Sequence, residues 1–344
     1  MKKWFETKKP ILILAPMADY TDGPFGHICR KYSGKEFIIF KEMVSSEALF
    51  RGNEKTLKMC KFDKTEKPLV IQIFGDKPEV MAKAAQIIEA KFKPDGIDLN
   101  MGCPVPKIAQ KTAAGAALMK NPTLAAEIVK SVKKAVKLPV SVKTRLGWSN
   151  PEEIIKFAVI LEKAGADLIT IHGRTKTQGY SGTADWEAIA KVKKILKIPV
   201  IANGDVVDCV SAKKCLEITG ADGLMIGRGA LGKPWVFQEV KSRKLKVESG
   251  VIARPEGSWQ SHYLQESTGL LRSSRNDNDK IIKIILKHAR LHEKYYKQGN
   301  LVTFRKHLAF YFKGIPGMKE VRVKLMQIKE YEELEKILKE YLKK

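Results

Sequence analysis

Cysteines are few in this sequence, and long apolar runs are missing. Only five of the 344 residues are cysteines, at positions 29, 60, 103, 209 and 215, and no two form a CxxC pair. An odd number at this spacing argues against a disulfide framework and against zinc, so no metal is expected. The longest apolar runs have strand length, well below the roughly 20 residues that span a membrane. The stretch from Met1 also lacks the apolar core of a signal peptide. We therefore expect a cytoplasmic protein with no membrane partner.

Acidic residues are also in short supply. Lysine and arginine number 63 against 38 acidic residues, which gives a formal net charge of +25. Such a balance favours a polyanionic partner that is bound through its phosphates. A lysine surplus is also typical of thermophiles and of basic proteomes, so the sign of the charge alone does not name the partner.

Short apolar runs recur along the first two thirds of the chain, each followed by a loop and a helical pattern. Several are almost continuously apolar, as is typical of parallel strands that are buried on both faces. The eight predicted strands are Ile11–Ala15, Phe37–Phe40, Leu69–Phe74, Gly96–Asn100, Pro139–Thr144, Asp167–His172, Pro199–Asn203 and Gly223–Gly227.

Helix-length amphipathic segments separate these strands. Asn121 and Pro122 supply a capping residue and an N1 proline for one helix, and Asn150 with Pro151 predicts a second helix start of the same kind. Cys209 and Cys215 fall in a further predicted helix, where we expect both in the core. Eight alternating β/α units predict an α/β protein with a (β/α)8 TIM barrel. An open doubly wound sheet is the alternative.

The last third of the chain changes character. The barrel is predicted to occupy residues 1–245, and residues 246–278 form a polar, serine-rich linker or insertion. Helical periodicity returns at Asp279, so residues 279–344 predict a small C-terminal α-helical domain of three helices, the last of them charged. This segment holds seventeen lysines and arginines against eight acidic residues, a net charge of +9.

Polar or basic residues follow nearly every predicted strand. In a (β/α)8 barrel the chemistry lies at the carboxyl ends of the strands, so these residues are expected to form one site. Its phosphate-binding part normally comes from the loops after strands 7 and 8, which here are Asn203-Gly204-Asp205 and Gly227-Arg228-Gly229. Residues 227–232 also match GxGxxG, but they close a β/α unit instead of opening one, so we reject a Rossmann interpretation.

Four residues at other strand ends carry distinct chemistry. Lys143 ends an apolar strand and could stabilise negative charge on a reduced ring system. Gln72 offers a donor and an acceptor to a heteroaromatic edge, and His172 could do the same or act as an acid. Cys103 follows strand 4 in a turn. An unperturbed thiol, with a pKa of about 8.5, is mostly protonated at neutral pH, which suits a proton donor better than a nucleophile.

Taken together, these motifs resemble those of the tRNA-dihydrouridine synthases. The resemblance covers roughly residues 10–245 and 280–326, and the polar stretch 249–278 departs from the shorter, more proline-rich linker of that family. The matching strings are Leu14-Ala15-Pro16-Met17-Ala18, Gln72-Ile73-Phe74-Gly75, Asn100-Met101-Gly102-Cys103-Pro104, Val142-Lys143-Thr144-Arg145, His172-Gly173-Arg174-Thr175, Asn203-Gly204-Asp205, Ile226-Gly227-Arg228-Gly229-Ala230 and Phe304-Arg305-Lys306-His307-Leu308.

The resemblance implies an FMN-dependent reduction of the C5–C6 double bond of uridine in tRNA, with NADPH or NADH as the reductant. It implies hydride transfer from FMN to C6 and a proton from Cys103 to C5, while the flavin supplies the redox chemistry. Asn100 and Arg145 would bind the substrate. The implied FMN contacts are Pro16, Met17, Ala18, Gln72, Lys143 and His172, with Asn203, Gly204, Asp205, Gly227 and Arg228 at the phosphate.

The resemblance also implies that the C-terminal segment binds tRNA. Extruding a base from its stack costs a few kcal/mol, which must be offset by contacts to the rest of the nucleic acid. Arg305, Lys306 and Lys313 are the predicted phosphate contacts. We expect tRNA as the partner and a monomeric enzyme.

Two alternatives stay open at this stage. A flavin-dependent reductase of a free pyrimidine could share the barrel and the cysteine-bearing turn, but it needs no basic helical platform. A non-catalytic tRNA-binding protein would explain the charge and would be colourless, with or without added FMN.

Overall fold

The computed structural model describes residues 3–105, 113–242, 275–296, 301–312 and 319–343. Within these ranges, eight parallel strands close into a barrel in which each strand pairs with its neighbours in chain order and β1 pairs with β8. The predicted (β/α)8 barrel is therefore confirmed, and the open sheet is wrong. The strands are β1 Ile11–Leu14, β2 Ile38–Ser45, β3 Leu69–Phe74, β4 Gly96–Met101, β5 Val140–Arg145, β6 Leu168–His172, β7 Val200–Asn203 and β8 Gly223–Ile226.

Helices surround the barrel and continue beyond it. Those that follow barrel strands are α1 Gly23–Ser33, α2 Ser46–Phe50, α3 Glu54–Met59, α4 Pro78–Phe92, α5 Pro122–Ala135, α6 Glu153–Lys163, α7 Trp186–Ile195, α8 Cys209–Thr219 and α9 Val236–Ser242. The C-terminal helices are α10 Arg275–Tyr296, α11 Arg305–Tyr311, α12 Lys319–Leu325 and α13 Tyr331–Lys343. Short 3₁₀ turns occupy Lys64–Glu66, Gly115–Lys120, Arg228–Ala230 and Val302–Phe304. In the part of the chain that the structure describes, no helix is long and apolar enough to cross a membrane.

Local capping chemistry sets several helix starts. Asn121 accepts a hydrogen bond from the Leu124 N–H, with Pro122 at N1, as predicted. The second predicted start is wrong, because α6 begins at Glu153. Asn150 instead accepts from the Glu152 N–H at 3.0 Å, an Asx turn that delays the helix by two residues.

The barrel interior is divided into an apolar half and a polar half. Successive side chains of a strand point to opposite faces, so alternate residues enter the barrel. Near the amino ends of the strands the interior is filled by an apolar cluster of Trp4, Phe5, Ile11, Ile13, Ala15, Ile38, Phe40, Val70, Leu168, Ile201 and Met225. Toward the carboxyl ends of β3 to β7 the same faces carry polar side chains. The polar half is the floor of the candidate site.

The C-terminal helices pack on α1, the first helix of the barrel. Their apolar core includes Ile28 of α1, which is fully buried among side chains of α10, α11 and α13. Gly23 lies so close to the Tyr295 ring that an added Cβ would be 2.6 Å from it. Two boundaries differ from prediction: α10 starts at Arg275, inside the predicted linker, and the final charged segment forms two helices. Residues 243–274 lie outside the described ranges.

Three buried histidines lie at this contact. His288, His292 and His307 are at most 2% exposed, and Asp22 of the β1–α1 connection is buried beside them. His288 Nδ1 is 3.1 Å from the Tyr311 hydroxyl, and Tyr296 donates to Asp22 at 2.9 Å. Three further ring nitrogens, Nε2 of His288, Nδ1 of His292 and Nε2 of His307, have no hydrogen-bond partner among the described residues. The contact between barrel and helices is therefore polar at its centre.

The cysteines are free thiols. Cys29, Cys60 and Cys215 are fully buried, whereas Cys103 and Cys209 are half-buried. The expectation that Cys215 is a core residue is confirmed. For Cys209 it is wrong, because this residue opens α8 beside its cap, Asp208, instead of facing the barrel.

Candidate active site

The turn after β4 places the Cys103 thiol at the barrel mouth. Asn100 is the penultimate residue of β4, and its side-chain oxygen accepts from the backbone N–H groups of Gly102 at 3.1 Å and Cys103 at 2.9 Å. Gly102 packs against β5, where an added Cβ would come within 3.1 Å of the Thr144 backbone. The turn is therefore held by the amide of Asn100 on one side and by the neighbouring strand on the other.

Burial governs the acidity of the Cys103 thiol. Desolvation raises its pKa above the ordinary value, and the cationic Lys143 and Arg145 only partly oppose this shift. The thiol consequently stays protonated at neutral pH. A half-buried neutral thiol at the barrel mouth can donate a proton, whereas a nucleophilic role would need the thiolate.

Lys143 occupies the row above the barrel floor, in register with Asn100 on β4 and Thr170 on β6. Desolvation and the adjacent Arg145 lower its pKa to about 8. The buried hydroxyl of the adjacent Thr170 has no hydrogen-bond partner within the described ranges. Buried polar groups are normally paired, so this hydroxyl leaves a polar gap in the row beside Lys143.

Arg145 connects the turn that carries Cys103 to the loop after β6 by hydrogen bonds. It is 3% exposed, and Nε donates to the Gly102 carbonyl at 2.8 Å. Its Nη1 donates to the Thr175 and Gly179 carbonyls at 3.0 and 2.8 Å. Backbone acceptors therefore occupy Nε and Nη1 of the Arg145 guanidinium, and Nη2 is the nitrogen that could face a substrate.

Gln72 lies on the barrel floor with its amide engaged at both ends. Nε2 donates to Asp98 at 2.6 Å, and Oε1 accepts from Asn100 Nδ2 at 2.9 Å. The side chain is only 1% exposed. Asp98 is absent from the residues predicted from sequence, because an aspartate inside an apolar strand gives no motif.

His172 ends β6 as a neutral imidazole. Burial lowers its pKa well below the ordinary value, and the surrounding cations Lys143, Arg145, Arg174 and Arg228 lower it further. Arg174 Nη1 is 3.5 Å from its Nε2. An uncharged ring at this position can donate or accept a hydrogen bond but does not serve as a proton source at neutral pH.

The loop after β7 combines an exposed backbone with a neutralised carboxylate. Gly204 has φ +121°, and an added Cβ would lie 2.9 Å from the His172 ring, so only glycine fits. Asp205, at φ +56°, accepts from Arg174 at 2.7 and 3.0 Å. Asn203 Nδ2 donates to the Met225 carbonyl at 2.7 Å. The side chains of Asn203 and Asp205 thus face protein groups, which leaves backbone N–H groups for an anion.

The loop after β8 brings a cation to the same place. Arg228 opens a 3₁₀ turn that follows Gly227, and its side chain is 51% exposed. Its guanidinium lies 3.7 Å from the Asp205 carboxylate and 4.7 Å from the Tyr180 ring centroid. Tyr180 and Arg174 were not predicted as site residues, although Arg174 lies in a matched motif. Tyr180 belongs to a loop whose sequence gives no signal.

The turn after β1 is fixed by its own hydrogen bonds. Thr21 bonds both the N–H and the carbonyl of Met17, and Asp19 N–H donates to Glu42 at 3.0 Å. Met17 packs on the apolar interior cluster, and Pro16 and Ala18 flank it. This turn forms the wall of the mouth nearest the C-terminal helices.

The three residues predicted to contact tRNA lie in different places and have different structural roles. Arg305 donates to the carbonyls of Ile328 and Gln327 at 2.8 and 2.9 Å. Its guanidinium therefore binds the connection between α12 and α13. Lys306 lies over the Tyr20 ring, 5.7 Å from its centroid, at the junction of barrel and helices. Lys313 falls outside the described residues.

Comparison with known proteins identifies a single family. The family model described as Dihydrouridine synthase (Dus) matches residues 13–344. A probable tRNA-dihydrouridine synthase 1 of Synechocystis is 39% identical over 324 residues, covering 94% of this chain and 83% of the relative. The tRNA-dihydrouridine synthase B of Pseudomonas aeruginosa is 35% identical over 321 residues, covering 93% and 89%. A probable tRNA-dihydrouridine synthase of Aquifex aeolicus is 40% identical over 250 residues, covering 72% and 77%.

Solved structures share the fold at low identity. A 2-naphthoyl-CoA reductase complex superposes with a TM-score of 0.55 at 13% identity, covering 70% of this chain and 51% of the other. Histamine dehydrogenase from Rhizobium sp. 4-9 gives a TM-score of 0.51 at 13% identity, covering 71% and 47%. The chain thus spans about half the length of these structures, and the likeness shows a shared fold.

Proposed function

Because the chain belongs to the dihydrouridine synthase family, it is an oxidoreductase acting on uridine in tRNA, and we propose that it works with FMN and with NADPH or NADH. Family membership confirms the resemblance found in the sequence. The observation that supports the proposed chemistry best is the turn after β4. It holds a protonated Cys103 thiol near the ammonium of Lys143 at the mouth of the barrel.

The residues at the mouth fit FMN in charge and in shape. The buried Thr170 hydroxyl, which has no partner among the described residues, and the ammonium of Lys143 would be hydrogen-bond donors to an isoalloxazine ring held there. Gly204, Gly227 and Arg228 provide backbone and guanidinium donors for a phosphate. When bound there, FMN would supply the hydride for C6 of the uracil. We assign the ring to Pro16, Met17, Ala18, Gln72, Lys143 and His172, and the phosphate to the backbone of 203–205 with Gly227 and Arg228.

Within this assignment each protein group has a limited task. Lys143 stabilises negative charge next to the ring site, since its lowered pKa still leaves the ammonium cationic at neutral pH. Gln72 has one free Nε2 hydrogen for the ring edge, because its other hydrogen-bonding groups are engaged. His172 is neutral and seats the ring by hydrogen bonding. Cys103 donates the proton to C5, and Asn100 with Nη2 of Arg145 positions the uracil.

Recognition of tRNA is assigned to charge on the C-terminal helices. A net charge of +25 on the whole chain, with +9 of it on residues 279–344, suits a polyanion. Lys306 is the best-placed candidate, since it lies at the edge of the mouth. Arg305 would act indirectly, by keeping α12 in place, and Lys313 stays a prediction.

The experiment that tests this function uses the full-length protein with tRNA that lacks dihydrouridine. We expect a yellow protein whose FMN is bleached by NADPH or NADH, and tRNA should restore the colour as dihydrouridine forms. Free uridine at the same concentration is the matched control. Turnover of free uridine alone would favour a small-molecule reductase, and a protein that stays colourless with FMN would favour a non-catalytic binder.

We propose a monomer as the working form. The large apolar side chains that are exposed among the described residues come from several different helices and loops, and single exposed apolar residues are normal on monomeric proteins. Light scattering of the protein with and without tRNA tests this assignment. A dimeric mass in both conditions would contradict it.

A further inference from the structure

Asp98 is a fully buried acid that the proposed chemistry does not use. It lies on β4, two residues before Asn100, with its side chain inside the barrel. In the strand register it stands level with Gln72 on β3 and with Ser141 on β5. Three polar side chains from three adjacent strands therefore meet in one row of the barrel floor.

Both oxygens of the Asp98 carboxylate are engaged by this row. Ser141 Oγ donates to Oδ1 at 2.6 Å, and Gln72 Nε2 donates to Oδ2 at 2.6 Å. A carboxylate can only accept hydrogen bonds. Consequently the nitrogen end of the Gln72 amide must face Asp98, and its oxygen end must face away.

The orientation of Gln72 then passes to the next amide. Its Oε1 faces Asn100, which donates from Nδ2 at 2.9 Å. With its nitrogen directed to Gln72, Asn100 presents its oxygen to the Gly102 and Cys103 N–H groups. Neither amide can flip alone without placing two donors or two acceptors face to face, and such a mismatch at a buried pair costs about 1–3 kcal/mol.

We propose that Asp98 is a positioning residue for the catalytic turn, acting through Gln72 and Asn100 to hold the backbone that carries the Cys103 thiol. The proposal deepens the assigned function and rests on it for the identity of the reaction. The hydrogen bonds themselves do not depend on bound FMN. In the series of hydrogen bonds from Asp98 through Gln72 and Asn100 to the turn, each donor points toward Asp98. The ionised Asp98 fixes this orientation because it can only accept.

Protonation of Asp98 would remove the directionality. Burial raises its pKa to about 6, whereas the hydrogen bonds from Ser141 and Gln72 and the charge of Lys143 oppose the shift. Above this pH the group is a pure acceptor. Below it a carboxylic acid can donate to Gln72 Oε1, so the amide is free to turn and the order of the cysteine turn is lost.

Two variants at position 98 separate positioning from packing. Asp98→Asn keeps the volume of the side chain but, like the protonated acid, it can either donate to Gln72 or accept from it, so it removes the direction without leaving a cavity. Asp98→Ala breaks the chain. Ser141→Ala is the matched control, since it removes a hydrogen bond to Asp98 and leaves the path from Asp98 to Cys103 intact.

The first readout is alkylation of Cys103 by iodoacetamide in FMN-free protein, followed by peptide mass spectrometry. Asp98→Ala and Asp98→Asn should each change the rate at least about fivefold, and Ser141→Ala should stay within about twofold of wild type. The second readout is steady-state reduction of tRNA. Asp98→Ala should lower kcat about 10–100-fold with KM for tRNA within about threefold, as expected for a misplaced catalytic group. Asp98→Asn should have at pH 8 the lowered kcat that wild type reaches below pH 6, and its kcat should lack the acidic limb near pH 6.

Distinct results overturn the proposal and the underlying function. Unchanged alkylation and kcat in Asp98→Ala would overturn the positioning role. So would equal losses of melting temperature, FMN binding and kcat in all three variants, because they would show packing only. If alkylation responds as expected but wild type does not reduce tRNA, the proposed function fails and the positioning of the thiol stands.

Discussion

Acidification should destabilise the protein through the histidines at the contact between barrel and helices. Burial lowers the pKa of His292 to about 4 and the pKa of His288 and His307 well below the ordinary value. A group whose pKa is lower in the folded state binds a proton preferentially when unfolded. The contribution of the three neutral histidines to the free energy of unfolding is therefore fully present above pH 6.5, the pKa of histidine in the unfolded chain. It is lost as the pH falls below that value.

The size of the effect follows from linkage. At pH 5.5, one unit below the unfolded pKa, each buried histidine costs about 1.4 kcal/mol, so three cost about 4 kcal/mol. Asp22 opposes them, because burial raises its pKa from 3.8 to about 6. Partial protonation of Asp22 in the folded state at pH 5.5 stabilises the protein by about 1 kcal/mol. The free energy of unfolding from this cluster is therefore lower by about 3 kcal/mol at pH 5.5 than at pH 7.5. Tyr296 and Tyr311 also face the cluster, and burial raises the pKa of both phenols above the ordinary value, so they stay neutral in this range.

Urea denaturation at pH 7.5 and 5.5 measures this loss. The variants His292→Gln and His307→Gln each remove one titrating group, so each should shrink the difference between the two pH values by about 1.4 kcal/mol. His27→Gln is the control, since His27 is only partly buried and lies outside the cluster. Variants at 292 and 307 that keep the full wild-type difference would refute the buried neutral state of these rings.

Three further predictions concern the site and the nucleic acid. Cys103→Ala should keep bound FMN and its reduction by NADPH, yet lower dihydrouridine formation about 10²–10⁴-fold by mass spectrometry of tRNA; full turnover would exclude the proton-donor role. Arg228→Ala should weaken FMN binding about 10–100-fold in a fluorescence titration, whereas the exposed Arg51→Ala should not; equal affinities would place the phosphate elsewhere. Lys306→Ala should weaken tRNA binding and reduce its salt slope by about one charge, while Arg305→Ala should mainly lower the melting temperature. The reverse pattern would exchange their roles.

Strand positions could be predicted closely because buried parallel strands leave a strong local signal. The run Leu69–Phe74 matches β3 at both ends, and the other runs are wrong mainly at their ends. Residue types at strand ends also located the barrel mouth. These features depend on a few consecutive residues, so a single sequence contains them.

Hydrogen-bond partners could not be predicted, because they come from residues far apart in the chain. Asp205 looked available for a phosphate until Arg174, 31 positions earlier, proved to hold its carboxylate. Arg305 looked like a surface cation, yet it bonds carbonyls 22 and 23 positions later. Asp98 gave no signal at all, since its function depends on strands β3 and β5.

The close contact at Gly23 and Gly232 restricts how this protein can be divided. Gly232, just after the barrel, leaves no room for a side chain beside the Phe310 backbone of α11, and Gly23 of α1 similarly meets α10. Helices that pack directly on glycine backbone of the barrel unit at two places, once through the Phe310 backbone and once through the Tyr295 ring, are not a detachable module. A truncation at residue 245 would expose the apolar face of α1, so the isolated barrel should aggregate. Exchange of tRNA-binding segments between relatives would need α1 to be exchanged with them.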